Sequence, residues 1–149
     1  MKIEKAIQQK RPFRNEYHRA AVNLIYSSNW IMEHHKEFFK KYGLTMKQYN
    51  VLRILKGAGV PVSTSIIRER LVDKNADASR IVDRLAKKSL ISKTVSSTDK
   101  RLVEVVLTEA ARKLLATMAK KEEALEHVLH HLTEQEAQQL NVLLDKMRG

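Results

Sequence analysis

The 149-residue sequence predicts a mainly α fold carrying one small β-hairpin, on three observations. Four Gly, two Pro and 5% aromatic residues are too few for the many turns of a β-sandwich. Apolar residues recur at steps of three and four along most of the chain, the period of helices with one buried face. Only between residues 90 and 107 does the period change to two. With 43% hydrophobic residues the chain can bury a core, and its length suits one domain or two small subdomains sharing that core. The absence of Cys excludes disulfides, thiolate zinc sites and cysteine catalysis. No aliphatic run exceeds three residues (Val105–Leu107 is one), and no apolar segment near Met1 resembles a signal peptide. The expected location is the cytoplasm, with no membrane partner.

Residues 1–13 are basic and weakly patterned, ending near Pro12. From Asn15, the series Tyr17, Ala20, Ala21, Leu24, Ser28, Ile31, Met32, His35, Phe39 and Tyr42 marks a long first helix, with Gly43 placed to stop it. Val22, Ile25, Trp30 and Phe38 fall off that stripe, as in a helix that buries one face in its own core and another against a partner. Thr45 opens a second helix, with Gln48 completing a capping box, and Gly57-Ala58-Gly59 ends it. A short third helix starts near Ser63, with Ile66, Ile67 and Leu71 inward. A fourth follows, capped by Asn75 or Asp77. It turns Ala78, Ile81, Val82 and Leu85 inward and Arg80, Arg84, Lys87 and Lys88 outward. Leu90–Val95 and Leu102–Leu107 read as two strands around the polar tip 96–101. Thr108 caps a fifth helix whose apolar positions run from Ala111 to Leu132, and Thr133 with Glu136 opens a sixth.

Charge narrows the function. The formal net charge is +11, pointing to a polyanionic partner such as nucleic acid. Residues 1–44 carry 9 basic and 4 acidic side chains, residues 45–108 carry 13 and 6, and residues 109–149 carry 6 and 7. The anion-binding face is therefore expected in the first two-thirds. Helix, short helix, basic helix and basic-tipped hairpin is the order of a winged helix-turn-helix. Such a helix fits the major groove and can present Ser79, Arg80, Arg84 and Lys87 to bases and phosphates. Lys100 and Arg101, beside Asp99, can reach the minor groove or backbone, and the helix start at Ser63, Thr64 and Ser65 suits phosphate contact.

At these residues the sequence resembles MarR-family transcriptional regulators. The stretch Asp77-Ala-Ser-Arg-Ile-Val-Asp-Arg-Leu-Ala-Lys-Lys-Ser-Leu-Ile91 is similar to the family's recognition helix. Asp99-Lys100-Arg101 followed by Leu107-Thr108-Glu109-Ala110 resembles its wing signature, and Gly43-Leu44-Thr45-x-x-Gln48-Tyr49-x-Val51-Leu52 resembles the start of its second helix. The likeness runs from about Tyr17 to the C-terminus. It implies a winged helix-turn-helix lobe at 45–108 and a helical dimerisation region from 1–44 and 109–149. It further implies a homodimer on a pseudo-palindromic double-stranded DNA operator, acting as a repressor that a small anionic or phenolic effector releases. Tyr17, Leu24, Leu129, Leu140, Leu143 and Leu144 are candidate dimer contacts; the apolar surface from Leu125 to Met147 independently exceeds what so small a lobe can cover. An effector pocket is implied where the dimer base meets the lobe. Trp30, His34 and Phe38 are its candidate walls, against the simpler expectation that each packs in core or interface. Two positions depart from the family pattern: Ser89 stands where Gly usually follows the recognition helix, and Ala111 where Gly often follows Leu-Thr-x-Ala.

Other readings stay open at this level. Arg101 can pair with Asp99, pair with Asp83 or enter the minor groove. His127, His130 and His131 lie near one helix face, which raises a metal-responsive regulator as an alternative, but no Cys and no local Glu-His pair completes a site, so no metal or cofactor is expected. Gly57-x-Gly59 lacks the Lys-Ser/Thr of a phosphate loop, and no nucleophile–base pair stands out, so an enzyme is not expected. An architectural protein coating DNA without sequence preference is the second alternative. A winged helix used for protein contact is the third, and the basic outer helix argues against it.

Overall fold

A computed structural model describes residues 1–96 and 102–149. Eight α-helices and three short strands follow one another among these residues. The N-terminal segment, weakly patterned in the sequence, contains one turn of helix, α1 (Ile3–Ala6), held by burial of Ile3 and by the Glu4–Arg19 ion pair at 2.8 Å. The long helix α2 (Glu16–Lys40) starts where Asn15 accepts a hydrogen bond from the His18 backbone N–H at 2.9 Å. It stops where Gly43 takes a left-handed φ of 65° and the Leu44 N–H reaches back to the Phe39 carbonyl at 3.1 Å. Helix α3 (Met46–Ala58) carries the expected capping box: Gln48 N–H donates to Thr45 Oγ1 (3.2 Å), and Thr45 N–H donates to Gln48 Oε1 (3.1 Å).

Helix α4 (Thr64–Arg70) is capped by Ser63. Of the two candidate caps for α5 (Ala78–Lys87), Asp77 takes the role, accepting from the Arg80 N–H at 3.0 Å. Strands β2 (Ile91–Val95) and β3 (Val103–Leu107) pair antiparallel with Ile91 opposite Leu107 and Val95 opposite Val103. A third strand, β1 (Val62–Ser63), pairs with the other edge of β3 and was not expected. Two residues are too few to show a period; Val62 joins because its side chain is buried opposite Val105.

The fifth helix is a correction. The sequence predicts one run from Thr108 to Leu132, but the chain forms α6 (Glu109–Ala119), a turn, α7 (Glu123–Glu126) and a 3₁₀ turn (His127–Leu129). Between Met118 and Leu125 stand Lys120, Lys121, Glu122 and Glu123, a full turn without a large apolar side chain to bury. The last helix, α8 (Glu134–Arg148), has its capping box at Thr133 and Glu136 as expected.

Helix α3 forms the centre of the core. Val51 and Leu52 are wholly buried, and α2, α4, α5, α6 and β3 all pack on this helix. Ile67, Leu85, Val105, Ala111 and Met118 close the same interior from the surrounding elements. By contrast, α8 packs extensively on no other element among the described residues. No helix there is long and apolar enough to cross a membrane.

Ser89 ends α5 with φ 56°, the left-handed conformation that glycine adopts without a Cβ penalty. Ser89→Gly should raise the unfolding free energy by about 0.5–1 kcal/mol, the relief of strain exceeding the added entropy of the unfolded chain. Ser89→Val should lower it, and urea unfolding of the two variants beside the native chain checks both.

Candidate nucleic-acid interface

Helix α5 separates its faces by chemistry. Ala78, Ile81, Val82 and Leu85 are buried, whereas Ser79, Arg80, Asp83, Arg84 and Lys87 face water. Arg80 Nε lies 3.1 Å from Asp77 Oδ2, an exposed pair one turn apart. Among the described residues no ion pair engages Arg84 or Lys87, leaving two cations free on the outer face. Asp83 pairs with Lys93 on β2, and that hydrogen bond, with the lysine's charge, holds its carboxyl below the usual carboxylate range. The pairing of Asp83 with Lys93 was not anticipated from the sequence, and the expected alternative with Arg101 lies outside the described residues. The wing residues Asp99, Lys100 and Arg101 lie outside the described residues.

The start of α5 faces the start of α4 across a cleft of about 300 Å³ lined by Thr64, Ser65, Arg68, Asp77 and Ser79 among others. Ser63 Oγ caps α4 by accepting from the Ile66 N–H (3.4 Å) and lies 2.7 Å from Ser65 Oγ. Thr64, Ser65 and Ser79, selected separately from the sequence, thus converge on one cleft, with Ser63 held behind Ser65. Arg68 belongs to it as well and was missed. Its spacing of three and four from Ser65 and Thr64 on a helix was the available signal.

Lys88 is exposed, as the sequence expects, but its ammonium is engaged, donating to the carbonyl of the exposed Gly43 and to Gln48 Oε1 (3.2 Å). Gln48 is only 5% exposed, so this lysine satisfies a buried acceptor at the junction of α2 and α3.

The other candidates are dispersed. Trp30 and His34 lie together on the exposed side of α2, their rings tilted by 52° with centroids 4.3 Å apart, and His34 Nδ1 meets the Trp30 carbonyl at 2.7 Å. Phe38, one turn on, is buried against Phe39 and Tyr42. His127 and His130 stack face to face at 4.3 Å, and His130 lies 3.8 Å from His131. Among the described residues no group of three or more His, Cys, Asp or Glu is disposed to hold a metal ion. Tyr17, Leu129, Leu140 and Leu143 are exposed, Tyr17 at 87%, while Leu24 and Leu144 are half-buried.

Three packed helices, the third basic on its outer face and followed by a hairpin in a three-stranded sheet, define a winged-helix transcriptional regulator of MarR type. Residues 33–118 match the family described as transcriptional regulator SarA/Rot, and the chain belongs to this family. It is 34% identical over 101 residues to the HTH-type transcriptional repressor MdtR of Bacillus subtilis (strain 168). That match covers 67% of this chain and 64% of the relative, so the chain spans less than two thirds of the relative's length. A MarR variant from E. coli complexed with operator DNA superposes with a TM-score of 0.80 at 20% identity, covering 92% of this chain and 99% of that one. BpsR of Bordetella bronchiseptica, whose DNA binding is regulated by 6-hydroxynicotinic acid, gives 0.77 at 22%, covering 88% and 99%. At those identities the two structures establish the fold. These relatives are regulators of transcription, not enzymes.

The division of labour on α5 is testable by stability alone. Lys88→Ala should cost about 0.5–1 kcal/mol by stranding a buried acceptor, allowing for the lysine's exposure. Lys87→Ala should leave unfolding unchanged within error, and denaturation of both variants measures the difference.

Proposed function

We propose that the chain is a homodimeric, sequence-specific DNA-binding repressor acting in the cytoplasm. The observation that carries the reading is the convergence of Thr64, Ser65, Arg68 and Ser79 on one cleft, on a lobe whose exposed helix α5 also carries Arg84 and Lys87, unpaired among the described residues. In this reading α5 enters the major groove with Ser79, Arg80 and Arg84 toward base edges, and the cleft seats backbone phosphates. Lys100 and Arg101, positioned by Asp99, are assigned to the adjacent groove or backbone.

Residues 45–108 would be the DNA-binding lobe, and 1–44 with 109–149 the dimerisation region. Support for the dimer comes from α8, whose Val142, Leu143 and Met147 are 62–65% exposed on a helix that packs extensively on no other element among the described residues. Two-fold symmetry would set the recognition helices about 34 Å apart, one turn of DNA. The MdtR relative, described as a repressor, supports the sign of regulation. BpsR and its 6-hydroxynicotinic acid support a small anionic or phenolic effector, for which the exposed Trp30–His34 pair is the candidate wall. Phe38, buried in the core, can shape that wall only from behind.

The test is a salt-dependent titration of the DNA upstream of the chain's own gene against scrambled DNA of equal length. Tight binding to the native fragment alone supports the reading. Equal binding to both, collapsing as salt rises, would favour the architectural alternative. Arg84→Ala should weaken specific binding by about 1–3 kcal/mol, and an unchanged affinity removes that contact. Leu140→Asp or Leu144→Asp should convert the dimer to monomer, read by sedimentation at micromolar concentration.

A further inference from the structure

The break between α6 and α7 is spanned by a closed ring of contacts. Tyr49 on α3 donates its hydroxyl proton to Glu122 Oε1 at 2.6 Å, and Arg53, one turn on, donates to the same oxygen at 2.5 Å. Arg53 also donates to Tyr49 Oη at 3.0 Å, so the three groups fix one another. The Tyr49 ring lies 4.8 Å from Phe39 on α2, and Phe39 meets His35 edge-on at 6.3 Å. His35 then returns to the chain beyond the break, its Nε2–H donating to the Leu125 carbonyl at 2.9 Å. Only Glu123 and Ala124 separate Leu125 from Glu122 along the backbone, which closes the ring.

The elements so joined have different attachments. Helix α6 packs against the lobe, with Ala111, Leu115 and Met118 buried in the shared core. Helix α7 packs on α2 and leads into α8, which packs extensively on no other element among the described residues. The segment between them, Lys120–Glu122, offers no large apolar side chain to bury, so burial does not set its course. What orients it is a polar group with a half-buried phenol and a guanidinium converging on one oxygen. Hydrogen bonding to Tyr49, and the charge of Arg53, hold the Glu122 carboxyl below its usual range, while burial and Glu122 push the Tyr49 hydroxyl up. An isolated exposed ion pair would contribute little order. This one is tied at both ends to aromatic rings that belong to the core.

We propose that Glu122 is a positioning residue: held by Tyr49 and Arg53, it sets the angle between the winged lobe and the C-terminal arm that begins at α7. Resting on the DNA-binding dimer proposed above, that angle also sets the separation of the two recognition helices. The angle itself is a property of one chain and can be read without DNA.

The chain has no Cys, so spin labels attach only at introduced positions. Ser92→Cys on β2 and Glu134→Cys at the start of α8 place one label on each side of the joint. Labelled chain diluted into unlabelled chain restricts the measured distances to pairs within one molecule. The native chain and Glu122→Gln, which keeps an acceptor for Tyr49, should give one narrow distance distribution. Glu122→Ala should broaden it at least twofold while circular dichroism stays native. A folded Glu122→Ala protein with the native width overturns the proposal. Should that variant not fold, Tyr49→Phe with Arg53→Ala strips both donors from an intact Glu122, and a native width there overturns it equally. Broadening as expected in a chain whose native form binds no DNA would count against the DNA-binding reading and leave the joint supported.

Discussion

Five other elements pack on α3, and its first turn sets the buried side chain of Gln48 against them. The N–H groups of that turn lack partners within the helix and need acceptors. Thr45 and Gln48 supply them reciprocally, and Gln48, 5% exposed, then carries its own carbonyl into a dry site. Lys88 answers that need from the far end of α5 and takes the Gly43 carbonyl with it. Three elements are thereby fixed at one point: the stop of α2, the start of α3 and the end of α5. The orientation of the outer face of α5 follows from this packing, because its inner face and its last turn both have fixed partners.

The exposed charges on that face are sorted by the same geometry. Asp77 caps the helix and pairs with Arg80; Asp83 turns toward β2 and takes Lys93. Arg84 and Lys87 are left facing water, and Arg68 lines the cleft in front of them. The net charge of the sequence is spread more widely than this face. A polyanion would meet the particular cations that the acids and carbonyls of the fold leave unengaged.

Local signals were legible where one residue decides the outcome. The caps at Thr45, Asp77, Thr108 and Thr133 each accept the expected backbone hydrogen bond, because cap chemistry involves residues only three apart; Asn15 and Ser63, where the sequence marks only helix starts, accept the same bond. Ser89 adopts the left-handed stop that its place after α5 demands. What escaped the sequence depends on residues far apart in the chain. β1 exists because Val62 meets Val105, 43 positions away; the exposed Lys88 has its ammonium engaged because Gly43 and Gln48 lie within its reach. The fifth helix breaks at Glu122, whose partners Tyr49 and Arg53 are some 70 residues earlier. Periodicity registers which face is apolar, and at Lys120–Glu123 no large apolar residue marks a face.

The Asp83–Lys93 pair gives dissolved salt a second point of action. It joins α5 to β2 across partly exposed side chains, within reach of mobile ions at a screening length of about 8 Å at physiological strength. Raising the ionic strength would compete with the protein's cations for a polyanion and would also slacken the tie between helix and strand. The steepness of any salt dependence therefore combines counterions released from the ligand with stiffness lost by the protein. A phosphate number read from that slope alone would overcount the contacts, and Asp83→Asn, which removes the tie at every salt concentration, separates the two contributions.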